Sequence, residues 1–236
     1  ISKFGYMSKN LVAPIALLPI SLYLSKLNKN NFEKLTDKES VDIQNSMQKW
    51  LALVLLKNAF GSSTDTKLVD TRKTIYASFD PQTFTFTELN KVLGISDVLS
   101  DDDIENIIRF AYQGKYTFLA LSLLYPDRDW KDSKFEEDHI YPKSEFTTAK
   151  LKKRGYDEDK VRKYQALYNT MLNLELLTDT ENNLKRATPF DQWIQTRDDA
   201  FKKRHLIPDM ADYGFDNFVD FINLRRDLLK TRLKSI

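Results

Sequence analysis

Asp138 and His139 stand side by side in a short β-like run, FEEDHIYP (135–142), and two asparagines, Asn173 and Asn182, follow nine residues apart in NLELLTDTEN. An imidazole titrates near neutral pH, so a histidine beside a carboxylate is a candidate general base. The same pair is common as a hydrogen-bonded structural element, and on Asp138-His139-Ile140 alone both readings stand open. What the chain lacks narrows the chemistry. With no cysteine and only His139 and His205 among 236 residues, cysteine nucleophiles, zinc ribbons and multi-histidine metal centres fall away. Six glycines, with no G-x-x-x-x-G-K or G-x-G-x-x-G, leave no nucleotide-binding loop of those kinds. His205, in KKRHLIP, follows three basic residues with no neighbouring carboxylate and reads as structural or exposed.

Neighbouring residues on a regular strand face opposite sides, so Asp138 and His139 can share a site only where the strand distorts or stops. Pro142, three residues on, is consistent with a stop. A polar, basic helical region follows (147–168), then a second short apolar run, MLNLELLT (171–178), and a helix from about Asp179. On the other side the chain reads as helical up to about residue 125. Val41–Phe60 sets Ile43, Met47, Trp50, Leu51, Val54 and Leu55 at helical spacing with Gly61 as a stop. Thr64–Phe79 and Asp101–Tyr112 are further helices, the second opened by a Ser100-x-x-Asp103 capping box. Tyr116–Tyr125 is apolar nearly all round, the mark of a buried element. Helices are also expected at Pro189–Lys203 and Asp216–Ile236. In the last, Phe218, Phe221, Ile222, Leu228, Leu229 and Leu233 form a stripe interleaved with basic residues such as Arg225.

The polar stretch DRDWKDSKFEE (127–137) is the best boundary, dividing a helical supporting region at 1–128 from a second domain at 129–236. The longest apolar run, Leu11–Leu24, is broken by two prolines and is shorter than the ~20 residues of a membrane helix. It reads as buried helix, so no membrane partner is expected. Lys plus Arg number 36 against 34 Asp plus Glu, and 42% of residues are hydrophobic, the composition of a soluble globular protein. Locally the balance tips: Thr147–Lys163 carries seven basic residues against three acids, a net of +4. Such a segment could track a phosphate backbone. Tyr156, Tyr164 and Tyr168, four and eight residues apart, suit packing better than base stacking.

DHIYPKSEF matches the Asp-His-Ile-x-Pro-x-Ser pattern of the HNH nuclease motif, and NLELL followed by Asn182 matches its second half. With LSLLYP, KWLALVLLKNAFGSSTDTKLVD and FINLRRDLL, the chain resembles the C-terminal region of GmrSD-like proteins, modification-dependent (type IV) restriction enzymes that defend bacteria against phage DNA. Leu172 stands where many relatives carry glycine. The resemblance implies a mainly α protein, a helical region followed by an HNH ββα-metal nuclease unit with additional C-terminal helices. It implies a metal-dependent DNA endonuclease of the bacterial cytoplasm, the effector of a restriction or anti-phage system acting on DNA that includes modified phage DNA. A nucleotide-hydrolysing N-terminal domain would lie outside this segment, and a chain that opens on Ile1 rather than Met agrees with that expectation.

The resemblance also assigns residues. Asp138 and Asn182 hold Mg²⁺ or Mn²⁺, His139 is the general base, and Asn173 organises the loop between the strands through backbone hydrogen bonds. A hard cation keeps several waters, so one carboxylate and one amide oxygen suffice as the protein's share. Lys185 and Arg186, about one turn beyond Asn182, are candidate phosphate contacts, with solvated helix charges as the alternative. Glu136 and Glu137 are extra ligands or ordinary surface carboxylates. Two rival readings remain: a non-catalytic module that grips DNA or a partner domain, and a helical scaffold in which Asp-His-Ile is incidental.

Overall fold

Asp37 begins the first long helix by accepting a hydrogen bond from the backbone N–H of Ser40 at 2.9 Å, satisfying one of the donors a helix start leaves open. The computed structural model describes residues 13–125 and 134–235; the first two residues of the Leu11–Leu24 run, residues 127–133 of the polar stretch and Ile236 lie outside them. Contacts divide the chain into two units, residues up to 100 and residues 101–235.

The described part of the first unit holds α1 (Leu17–Leu27), α2 (Lys38–Leu56), α3 (Thr64–Ala77) and α4 (Phe86–Leu93). Pro14 begins a 3₁₀ turn and Pro19 falls in the first turn of α1, where a missing N–H costs no helical bond. The apolar run therefore stays helical. Ile43, Met47, Trp50, Leu51 and Val54 of α2 are buried, as their spacing predicts. Tyr23 donates its hydroxyl to the Asp80 carbonyl at 2.7 Å and meets the Phe84 ring edge-on, and Phe84 in turn meets Trp50 edge-on. Gly94 ends α4 at φ +68°, a left-handed backbone that glycine adopts without a Cβ clash.

The second unit is mainly helical around a two-stranded antiparallel sheet. Its elements are α5 (Asp101–Ile107), α6 (Thr117–Ser122), β1 (Phe135–His139), α7 (Thr148–Lys153), α8 (Glu158–Leu167), β2 (Leu174–Thr178), α9 (Asp179–Lys185), α10 (Phe190–Gln195), α11 (Asp199–Arg204) and α12 (Phe218–Lys234). The register pairs Phe135 with Thr178, Asp138 with Glu175 and His139 with Leu174. Helix α9 follows β2 without a loop and packs on both strands. Thr178 and Glu181 form its capping box, which turns the chain directly from strand to helix. Among the described residues no helix is long and apolar enough to cross a membrane.

Several elements differ from the sequence expectation. The helix at 101–112 stops at Ile107, because the next stretch pairs with the approach to β2 instead: Ala111 bridges Thr170, and Met171 donates to the Phe110 carbonyl at 2.8 Å. The 147–168 region is two helices, broken at Gly155 (φ +81°) and restarted by Asp157, which caps Lys160. Asp198 likewise caps Phe201 and splits 189–203 in two. Leu172 sits in a 3₁₀ turn, and Leu172 is not among the non-glycine residues with positive φ. This turn therefore has no steric need of glycine.

The basic residues of the insertion are largely compensated. Lys150 and Arg154 pair with Glu145, Lys152 with Glu158, Lys160 with Asp216 and Arg162 with Asp159. Five of the seven cations that made this stretch basic thus have a carboxylate beside them, which weakens the field a phosphate chain would meet. On α12, Arg226 and Lys230 reach Glu105, and Lys234 reaches Asp101. The acidic start of α5 is therefore an ion-pair partner of α12. Tyr164 is buried and its hydroxyl donates to the Asp216 carbonyl at 2.9 Å, so it packs and offers no face to a base.

Candidate active site

Strand pleat sorts the residues of β1 into two sets. Glu136 and Asp138 face α9, while Glu137 and His139 face the segment around Tyr112 and Asn169. On the α9 side, Glu175 stands opposite Asp138 in register, and two carboxylates directly across a sheet repel. Lys185 resolves this. Its ammonium donates to Asp138 Oδ2 at 2.5 Å, to Glu175 Oε1 at 2.8 Å and to the His139 carbonyl at 2.7 Å, using all three N–H donors. Lys185 is fully buried. The expectation that it contacts phosphate does not fit this arrangement, since no donor remains and water does not reach it.

The network continues inward. Glu175 Oε2 lies 2.8 Å from His205 Nδ1. The Tyr125 hydroxyl, 3.2 Å from the same nitrogen, accepts the Leu176 N–H on the outer edge of β2 at 3.2 Å. Burial alone would raise the Glu175 pKa, but Lys185 and His205 outweigh it and hold the carboxyl below the usual range. Arg225 completes the support: buried on α12, it donates to the carbonyls of Met171, Leu172 and Leu174 at 3.2, 2.8 and 2.8 Å. Two of those carbonyls lie in the turn just before β2 and the third is the first within it. His205 thus has a carboxylate partner that only the tertiary fold supplies.

Asn182 projects from α9 toward β1, and its Nδ2 donates to Glu136 Oε2 at 2.9 Å. Its amide meets Glu136 rather than Asp138, whose carboxylate is on Lys185 and whose side chain is one-fifth exposed. Glu136, Asp138 and Asn182 nevertheless share the face between β1 and α9. Arg186 follows at φ +47°, exposed, with its Nε on the Asn183 carbonyl at 3.1 Å.

His139 is the last residue of β1 and is 5% exposed. Its Nε2 lies 3.1 Å from Asn169 Oδ1, and its ring lies 4.5 Å from that of Tyr112 and is stacked at 6.1 Å on Tyr168. Burial pulls its pKa below the ordinary imidazole value, against the Asn169 contact that raises it. The ring is therefore neutral at pH 7. With the Asn169 oxygen accepting from Nε2–H, Nδ1 carries the lone pair. On the same face Glu137 accepts the Gln113 N–H at 2.7 Å, and burial raises its pKa.

Asn173 ties the two strands together beyond their ladder. Its Oδ1 accepts from Tyr141 N at 2.9 Å, while Nδ2 donates to the carbonyls of Tyr141 and Tyr168 at 3.1 and 2.9 Å. The Asn173 carbonyl also accepts from Ile140 N at 2.8 Å. Asn173→Ala should therefore leave two buried backbone groups of Tyr141 and the half-buried Tyr168 carbonyl unpaired and destabilise the protein by about 2–4 kcal/mol, read as a lower urea midpoint; an unchanged midpoint would show that the loop is held elsewhere.

Sequence reasoning missed Asn169, Tyr112, Glu175 and Tyr125. Glu175 alone left a signal, as the one acid inside the apolar run MLNLELLT, since an acid in a buried strand needs a partner. The others meet the site through pairings distant in the chain. Compared with protein-family models and with curated proteins, the sequence matches neither.

Proposed function

We propose that this chain is a metal-dependent phosphodiester hydrolase of the HNH kind acting on DNA, with the sheet and α9 as a ββα-metal unit. The observation that carries the reading is the shared face on which Glu136 and Asp138 of β1 meet Asn182 and Lys185 of α9, at the end of a strand that also bears His139. The motif resemblance on the same residues supports it, and through it a role as effector of a bacterial restriction or anti-phage system.

The donor set fits a hard, hydrated cation. Its atoms are carboxylate and amide oxygens, which magnesium and manganese favour. Among the described residues no group of three or more His, Cys, Asp or Glu is placed to hold a metal ion, so the reading rests on a single carboxylate with an amide oxygen, and such a site leaves most of the ion's waters in place. Asp138 and Asn182 would hold it, and when bound it would polarise a phosphoryl oxygen and steady the leaving alkoxide.

The remaining chemistry belongs to the chain. His139, neutral and fixed by Asn169, takes the proton of the attacking water on Nδ1. Asn169 holds the ring in one tautomer, and the aromatic rings of Tyr112 and Tyr168 limit its rotation. Lys185 orients Asp138 through its ammonium, and Glu175 keeps Lys185 in place. Asn173 locks Tyr141 two residues beyond His139, so the end of β1 cannot drift.

Nicking of supercoiled plasmid against metal concentration tests this. Asn182→Ala should need roughly tenfold or more Mg²⁺ to reach half-maximal cutting, as loss of a metal-supporting group does, with partial recovery at high metal. An unaltered metal response would remove Asn182 from the site. The ion pair on Asp138 and the burial of His139 favour a second reading, a non-catalytic DNA-gripping module, which predicts salt-sensitive DNA binding with no cut product at any metal concentration.

A further inference from the structure

A recess of about 240 Å³ opens on the second unit beside the strand end. Tyr141, Phe190, Tyr213 and Phe215 wall it, and Asp191 and Gln192 of α10 line its edge. Tyr141 and Phe190 are buried and hold each other at 4.7 Å between ring centroids, while the Tyr141 hydroxyl donates to the Tyr213 carbonyl at 3.0 Å. These walls are preformed. Arg154, ion-paired with Glu145, lies over the Phe215 ring at 4.4 Å and also borders the recess.

Resting on the hydrolase reading, we propose that this recess takes one unpaired nucleobase of the strand being cut. Three observations select that occupant. The volume falls below the ~300 Å³ of drug-sized ligand sites, so it suits one planar ring system and excludes a dinucleotide. Tyr213 and Phe215, the half-buried rings of the lining, offer surface to a flat π-face, which every base has, over a floor of buried Tyr141 and Phe190. The edge offers acceptors at Asp191 and Glu145, a donor at Arg154 and both at Gln192. Lys150 and Arg154 answer Glu145, and Asp191 adds a further carboxylate at the edge, which disfavours an anion and suits a neutral ring edge with its own donors and acceptors.

Asp191 makes the recess selective. A carboxylate accepts from an exocyclic amino group, as acidic residues do from cytosine N4, so amino-bearing bases should bind better than thymine. The recess is also mechanically coupled to the strand end. Tyr141 lies two residues after His139, and Asn173 fixes both its N–H and its carbonyl. A base seated here would set which phosphate along the strand lies near His139.

The test is fluorescence anisotropy of labelled 12-nucleotide oligo(dC), oligo(dT) and a fully abasic strand on the whole chain in EDTA, with plasmid cleavage in Mg²⁺ measured in parallel. The expected order is dC tightest and abasic weakest, with roughly a tenfold span from stacking. Asp191→Ala should erase the dC over dT preference, and Gln192→Ala should weaken both, with melting temperatures near the parent's. Equal affinity for oligo(dC) and the abasic strand, with cleavage intact, overturns the recess and leaves the hydrolase reading standing. Loss of both binding and cleavage in the parent overturns both. Competition by cytidine monophosphate as strong as by the strand overturns the assignment to a base within a chain.

Discussion

Lys185→Met should destabilise the unit formed by residues 101–235 by about 3–5 kcal/mol, because it leaves Glu175 as a buried carboxylate short of its main counter-charge and Asp138 facing it across the sheet. Lys185 and Glu175 are both buried, and the ammonium makes three hydrogen bonds there. Methionine fills a similar volume, so the loss reports charge and not packing. Chemical denaturation monitored by circular dichroism measures it. The double variant Lys185→Met/Glu175→Gln should recover part of the loss, since removing both charges costs less than stranding one. A single variant as stable as the parent would contradict the network.

The pH dependence follows from the same carboxyl. Glu175 is held below the ordinary carboxylate range in the folded state, and in the unfolded chain it returns to about 4.3. A depressed folded pKa gives stability that is complete above the unfolded value and is lost as pH falls from there through the folded one. The gap between parent and Lys185→Met should therefore be largest at neutral pH and narrow as acid is added below about pH 4.

His139→Ala should slow metal-dependent cleavage by about 10²–10⁴-fold, the usual contribution of a positioned general base. Asp138 and Asn182 remain in this variant, so metal binding should persist while turnover falls. Loss in kcat at constant metal requirement identifies proton transfer; a parallel rise in the metal requirement would assign His139 to holding the site together instead. Asn169→Ala, which frees the ring to change tautomer, should slow cleavage in the same direction but less.

The run around Asp138 was legible as β-like, while the apolar run at 171–178 was a strand only through the motif resemblance; the structure has β1 and β2 there. The long helices α2 and α12 were legible from apolar spacing. The breaks at Gly155 and Asp198 were harder, since each depends on a local cap inside an otherwise helical composition. Charge misled in two places. Lys185 reads as surface because lysine is seldom fully buried, and only the lone Glu175 in an apolar strand hinted at the contrary. The basic stretch at 147–163 reads as a phosphate track until Glu145 and Asp216 come into contact with it, from beyond its own helices. His139's neighbours Tyr112 and Asn169 were beyond reach for another reason. They are brought in by the pairing of residues 110–112 with 169–171, which no periodicity encodes.

Supercoiled plasmid incubated with the purified chain in Mg²⁺, in Mn²⁺ and in EDTA tests the central claim most directly. The account predicts nicked or linear DNA with either metal and intact plasmid in EDTA. Intact plasmid under every condition, from protein whose circular dichroism shows the folded helical state, would contradict it.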